Sequence, residues 1–393
     1  MKKRLVLAGS AVLGSLGLTV SAVPAVAAQT GVTIGCDTNG SQDLIDAIVD
    51  ANTNNGGTIK LAKRCAYRFE TSYDGTNALP PIASDIKIIG NESTLIRSVR
   101  GAEFRILRVE EGGSLTLKNT TVTGGFLNLD PDEADGGGIA NEGTLKLENV
   151  TVAGNQVSGD GGGISNEGGT VTLYNSRVRT NVAFNGQGGE PGDGGGISNN
   201  ASGTLTVKKS TIADNTSEED GGGIQNQGIL SVEGTLFSKN EARDDDGAAI
   251  NQLGSAKIWD SEFVENRAGV DGGAINSDPT NTYTTEITGS SFYRNVAGRH
   301  GGAINNEGRA TLKRSRIEGN QAGTFGGGIN NEFEVGKETT LTLERTEITG
   351  NRSAGPGGGI NNWQGATVIV RGGKIVKNLP DNCDGDVPGC YNL

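Results

Sequence analysis

From about residue 134 the chain settles into a recurring order of small, apolar and polar positions. A Gly-Gly-Gly/Ala-Ile phrase or a close variant returns again and again. Its isoleucines are Ile139, Ile164, Ile197, Ile224, Ile250, Ile275, Ile304, Ile329 and Ile360, at intervals of 25 to 33 residues. A period near 25 with insertions means stacked units. A second apolar column is Val152, Val178, Ile212, Phe237, Phe263, Phe292, Ile317, Ile348 and Ile375, each three residues before an asparagine. A third is Leu147, Leu173, Val207, Val232, Ile258, Ile287, Leu312, Leu343 and Val370. Around these anchors the pattern alternates, as in Thr204-Leu205-Thr206-Val207, which is the period of a strand. Glycine density and β-branched residues exclude helix within the repeats. Such units wind as coils of a parallel β-helix, three short strands to a coil, with coils about 4.8 Å apart.

Identical positions then stack. The asparagines after the second column (Asn155, Asn181, Asn215, Asn240, Asn266, Asn295, Asn320, Asn351 and Asn378) fall at a turn. There an Asn adopts the left-handed conformation and its amide bonds to the coils above and below. A further polar column lies two residues after each isoleucine: Asn141, Asn166, Asn199, Asn226, Gln252, Ser277, Asn306, Asn331 and Asn362. Both read as ladders that satisfy polar groups inside a narrow solenoid.

A solenoid has two open ends. Residues 41–52 predict an amphipathic helix with Ser41 as N-cap and Leu44, Ile45, Ile48 and Val49 as its apolar face, a lid on the first coil. Less regular coils are expected at Thr58–Leu61, Ile86–Ile89 and Phe104–Val109. The domain reading is a leader at 1–28 and one β-helix domain at 29–393. Within it lie an N-terminal cap at about 29–65, repeats at about 105–378 and a cysteine loop over the last coil at 379–393.

Composition agrees with a thin core: 65 glycines, 9 prolines and 4% aromatics in 393 residues. The first residues, MKKR, an apolar run and Ala25-Val26-Ala27, form the three parts of a secretory signal. Its removal takes net charge from −12 to −12 − 3 = −15, which repels nucleic acid and anionic membranes. The expectation is a secreted, extracellular protein without membrane insertion or nucleic-acid partner. The four cysteines allow three pairings. Cys36 with Cys65 and Cys383 with Cys390 sit at opposite chain ends, so local pairing is favoured, and export favours disulfides.

The paired motifs GG[GA]I and [IVF]-x-x-N, including Phe237…Asn240, Phe263…Asn266 and Phe292…Asn295, resemble the repeats of chlamydial-type polymorphic outer membrane proteins. More broadly the chain is similar to pectin-lyase-like proteins and to exported actinobacterial proteins with an N-terminal helix and a C-terminal cysteine loop. The resemblance implies an all-β, right-handed parallel β-helix. It also implies two functional directions, adhesin-like surface binding and polysaccharide cleavage.

Cleavage needs carboxylates, and for a lyase a base, on an outward strand. The residues after each anchor isoleucine are Ala140, Ser165, Ser198, Gln225, Asn251, Asn276, Asn305, Asn330 and Asn361, with neither. The reading is therefore a non-catalytic binder of a cell-surface or polysaccharide ligand. The stripe Asn251, Asn276, Asn305, Asn330 and Asn361 is its candidate face. The alternatives are a carbohydrate-active enzyme and a structural envelope or matrix protein. Aromatic platforms are scarce: Trp259, Tyr293 and Trp363 stand near repeats, in different columns.

Four residues before the isoleucines stand Asp135, Asp160, Asp193, Asp220, Asp246 and Asp271, then His300, Phe325 and Pro356. Each Asp is expected to cap its own glycine turn. The functional alternative is a cation-binding edge, with calcium as its ion and no other cofactor. Asp244-Asp245-Asp246 and Arg299-His300-Gly301 bear a faint likeness to the acidic pair and Gly-His-Gly element of polygalacturonase-type hydrolases.

Overall fold

A computed structural model describes residues 31–98, 102–128, 135–186, 192–278, 283–333, 335, 336 and 338–392. Residues 1–28, expected to be a leader, and most of the glycine-rich insertion at 186–192 lie outside them. The chain winds as a right-handed parallel β-helix. One coil shows the plan: strands Ile164–Asn166, Thr170–Tyr174, Arg177–Arg179 and Val182–Ala183. These four segments build three sheets, because the second and third belong to one bent sheet. Among the described residues the sheets hold 11, 21 and 9 strands.

Register carries the sequence columns directly into space. Ile164 pairs with Ile139 and Ile197, Leu173 with Leu147 and Val207, and Val178 with Val152 and Ile212. The nine anchor isoleucines are at most 1% exposed. They form a slender apolar shaft with the other two columns. Within it Phe237, Phe263 and Phe292 stack nearly parallel, with centroids 4.8 and 4.6 Å apart. That spacing is the coil repeat itself, so the rings meet face to face without distorting the ladder.

The turn differs from expectation in one respect. The ladder asparagines are not in the left-handed region; the residue before each of them is. Thr180, Asp214, Lys239, Glu265, Arg294 and Lys377 have φ between 53° and 61°, and Gly154, Gly319 and Gly350 fill the same place in other coils. This frees each Asn to point inward and bond. Asn266 is typical: its Oδ1 accepts from the backbone N–H and Nδ2 of Asn240 at 3.0 Å each. Its Nδ2 donates to the Phe237 carbonyl and to Asn295 Oδ1 at 3.1 and 2.9 Å. The ladder is continuous from Asn155 to Asn378 and ends on Asn382. The second ladder runs from Asn141 to Gln252, breaks at Ser277, whose hydroxyl turns to Thr285, and resumes from Asn306 to Asn362.

The helix is Gly40–Thr53, capped by Asn39 without a side-chain bond, so Ser41 lies inside it. Asp37 explains the early start: its side chain accepts from the Asn39 N–H and its carbonyl from the Gly40 N–H, turning the chain before Ser41 is reached. Leu44, Ile48 and Ala51 pack on the first coils, while Val49 faces outward. The irregular early coils are the strands Gly57–Leu61, Asp85–Arg97 and Leu107–Val109. Cys36 is bonded to Cys65 and Cys383 to Cys390. The second bridge closes more than a loop, since Cys383–Asp384 adds a rung to the 11-stranded sheet by pairing with Ile360 and Asn361. No helix among the described residues is long and apolar enough to cross a membrane.

Candidate functional site

The aspartates at the head of the glycine turns form one straight column. Each is followed by a glycine in the left-handed region, for example Gly221 at φ 61° and Gly247 at φ 64°. A Cβ at Gly247 would come within 2.5 Å of the Ile250 carbonyl oxygen, so glycine is required on both counts. The carboxylates bond along the stack, each to the next coil, and not within their own turns. Asp135 Oδ1 accepts the N–H of Asp160 at 2.9 Å, Asp160 that of Asp193, Asp193 that of Asp220, and Asp220 that of Asp246. Asp246 accepts from Asp271, and Asp271 from His300 at 2.8 Å.

This arrangement brings like charges together in a partly dry edge. Burial first, then neighbouring carboxylates, push Asp160 up to about 8, Asp220 to about 7 and Asp246 to about 9. Burial also raises Asp193 and Asp245. Asp271, almost wholly buried, has a cation: Arg299 Nε lies 3.1 Å from its Oδ1 and a second guanidinium nitrogen meets its Oδ2. One carboxylate oxygen each from Asp220, Asp245 and Asp246 lie within 4.8 Å of one another, an arrangement able to hold a metal ion. Asp245 joins this group from the position before the column, where the regular spacing gives no sign of it.

Beyond Asp271 the column changes chemistry. His300 and Phe325 stack with centroids 5.2 Å apart, and Trp363 meets both edge-on at 6.2 and 5.9 Å. The Thr324 hydroxyl lies 3.1 Å from His300 Nδ1, and burial lowers the imidazole's affinity for a proton. Trp363 is 39% exposed, and its Nε1 donates to Asn330 Oδ1 at 3.0 Å. Trp363 thus bridges three columns that the sequence keeps apart. Trp259 and Tyr293 stand half-buried in separate outward columns.

The five stripe asparagines do share one column. Asn276, Asn305, Asn330 and Asn361 each donate to the Asn of the coil before, at 3.1, 3.0, 2.8 and 2.7 Å. They are at most 5% exposed. Their amides are spent on each other and on the acidic edge, as where Asn276 Nδ2 reaches Asp246 Oδ2 at 3.2 Å. Gln225 Nε2 likewise reaches Asp193 Oδ2 at 3.0 Å. Asn276 and Gln225 thus brace Asp246 and Asp193, and the part-exposed chemistry of this side is the Asp edge from Asp135 to Asp246 and, beyond the buried Asp271 and His300, Phe325 and Trp363. Comparison of the chain with family models, curated proteins and solved structures returned no match.

Proposed function

We propose that this β-helix is an exported binding rod that holds a polysaccharide or other hydroxyl-rich cell-surface ligand without turning it over. One observation carries the reading: a single straight edge of carboxylates runs into the His300–Phe325–Trp363 group. Aspartates accept hydrogen bonds from sugar hydroxyls when ionised and also donate one when protonated, and an indole face takes up the apolar side of a sugar ring. The coil repeat, about 4.8 Å, presents an aspartate at each step of the edge from Asp135 to Asp271. The leader-like first residues and the two disulfides support an extracellular place of work. A calcium ion on the column belongs to the same proposal, because it would neutralise carboxylates that otherwise repel.

The enzyme reading has one observation in its favour. Asp220, Asp245 and Asp246 form a compact carboxylate group in which burial raises all three and burial with mutual repulsion pushes Asp246 up to about 9, so that it holds a proton at neutral pH as a general acid requires. Against it, Asp220 and Asp246 each commit an oxygen to a backbone N–H of the next coil. Both readings meet one experiment. Polyuronates and neutral plant or microbial glycans are screened for retention in affinity gels and, in parallel, for new reducing ends and unsaturated products. Retention without products, weakened about tenfold or more by Trp363→Ala, is the expected result. Products abolished by Asp245→Asn or Asp246→Asn would make the protein an enzyme. Retention indifferent to Trp363→Ala would remove the site.

A further inference from the structure

The second asparagine ladder breaks inside the shaft, and its direction fixes which end of each amide meets the break. Asn226 Nδ2 donates to Gln252 Oε1 at 2.9 Å, which leaves Gln252 Nε2 on the side of the next coil. Beyond the break Asn306 Nδ2 donates to Asn331 Oδ1 at 2.7 Å and to the Gly308 carbonyl at 3.0 Å, which leaves Asn306 Oδ1 on the side of the coil before. The register puts Ser277 between them. Its side chain carries no amide, and its hydroxyl pairs with Thr285 Oγ1 at 2.8 Å. Gln252 Nε2 and Asn306 Oδ1 have no hydrogen-bond partner within the chain, and both residues are 0% exposed.

The same three coils lose bulk in a second buried column. Leu145, Val171, Leu205 and Leu230 stack in register and are followed by Ala256, Thr285 and Ala310, after which Leu341 and Val368 restore branched side chains. Phe263 and Phe292 return apolar volume to two of these coils, but no donor or acceptor reaches the broken ladder from them. Two coil steps, about 9.6 Å, separate Gln252 from Asn306, against about 4.8 Å for a bonded pair of the ladder. A donor and an acceptor left bare in an apolar shaft are costly, and no side chain of the chain answers them.

We propose that the shaft binds water here: one or two internal water molecules stand in for the amide that Ser277 lacks. The water accepts from Gln252 Nε2 and donates to Asn306 Oδ1. In the Ser277–Thr285 hydroxyl pair one proton is spent on the other oxygen, and the second is left to give to the water. That makes three bonds to protein, the ordinary number for a buried water, and carries the direction of the ladder unbroken from Asn141 to Asn362. Chemistry selects this occupant. A cation would meet the Gln252 N–H groups, and an apolar guest would leave both amides bare.

A crystal structure of the intact protein, at a resolution that shows ordered solvent, tests this directly. The expected result is solvent density between Gln252 and Asn306, about 2.7–3.2 Å from Nε2 at one end and from Oδ1 at the other. A second arm fills the break with protein. Ser277→Asn with Thr285→Val gives this coil the ladder amide that Asn226 supplies in its own coil and the column residue that Val171 supplies in its own. The new amide should take the place of the solvent density, and the urea midpoint should equal or exceed the parent's, since a direct ladder replaces a bridged one. Ordered side chains with no density between them, or a turned Gln252 or Asn306 that bonds to protein instead, would overturn the proposal. A folded double variant with a lower midpoint would do the same, by showing that the coil has no room for what the water is said to occupy. If the variant does not fold, the parent structure alone decides.

Discussion

An asparagine and an aspartate of the same repeat meet opposite fates here. The amide of Asn266 supplies two donors and accepts twice, so a wholly buried polar group has nothing left unmet. Asn266→Ala strands the Asn240 N–H and amide together, and each buried unmet group costs about 1–3 kcal/mol. A loss of about 2–4 kcal/mol in urea unfolding is expected; a loss below about 1 kcal/mol would mean that water replaces the ladder. The carboxylate column lacks that balance. Asp160, Asp220 and Asp246 hold protons up to about 8, 7 and 9, against an ordinary 3.8. The folded chain therefore keeps protons that the unfolded chain has released. Their contribution is full below about pH 4 and is lost as pH rises through these values, each group adding a slope of up to about 1.4 kcal/mol per pH unit. Asp246→Asn keeps the acceptor for the Asp271 N–H and removes the titration. Unfolding free energy measured from about pH 5 to 9 should then fall less steeply than in the parent and exceed it near pH 8.

At the scale of the coil, what could be read from sequence was whatever every coil repeats in the same chemical type. Isoleucines, [IVF] anchors and asparagines face the shaft, where stacking demands like on like, so their columns and register are plain in the text of the chain. The left-handed corner is not, because its occupants (Thr180, Asp214, Lys239, Glu265, Arg294) share only a backbone angle and point to solvent or to nothing in common. Thr180 is the most strained of them, being β-branched at φ 53°. Thr180→Gly should raise stability by about 1 kcal/mol, the relief of a left-handed β-branched residue less the entropy a glycine adds to the unfolded chain. A lower urea midpoint would show that the Thr180 hydroxyl bond to the Arg179 carbonyl matters more than the strain. The candidate site was legible in part for the same reason. Six aspartates announce themselves as a column, but Asp245 joins through a local bend, and Phe325 and Trp363 come together only because the intervening coil returns the chain to the same side. The stripe after isoleucine looked outward and free by alternation; its amides are in fact closed by their own ladder, since stacked amides bond to each other before they bond to anything else.

The whole molecule behaves as a line of coils, each touching only its two neighbours along the axis. Stability is then close to a sum of coil terms and interface terms. Removing one complete coil removes one of each and leaves every remaining contact type in place. Excision of residues 241–266 joins Asn240 to Arg267, which follows Asn266 in the same place that Glu241 follows Asn240. Phe237 then meets Phe292, and Asn240 meets Asn295, in the geometry that Phe263 and Asn266 now provide. The shortened chain should fold with the same circular-dichroism signature, lose about 4.8 Å of length by small-angle scattering and melt a few degrees lower. Excision of residues 241–253, half a coil, sets turn glycines against strand positions and carries apolar anchors out of the shaft. That chain should show no cooperative melt. Two deletions of such different length thus rank opposite to intuition, the larger being the milder. If the half-coil deletion melted as sharply as the full one, strict stacking of isoleucine on isoleucine and asparagine on asparagine would not be what holds the rod together.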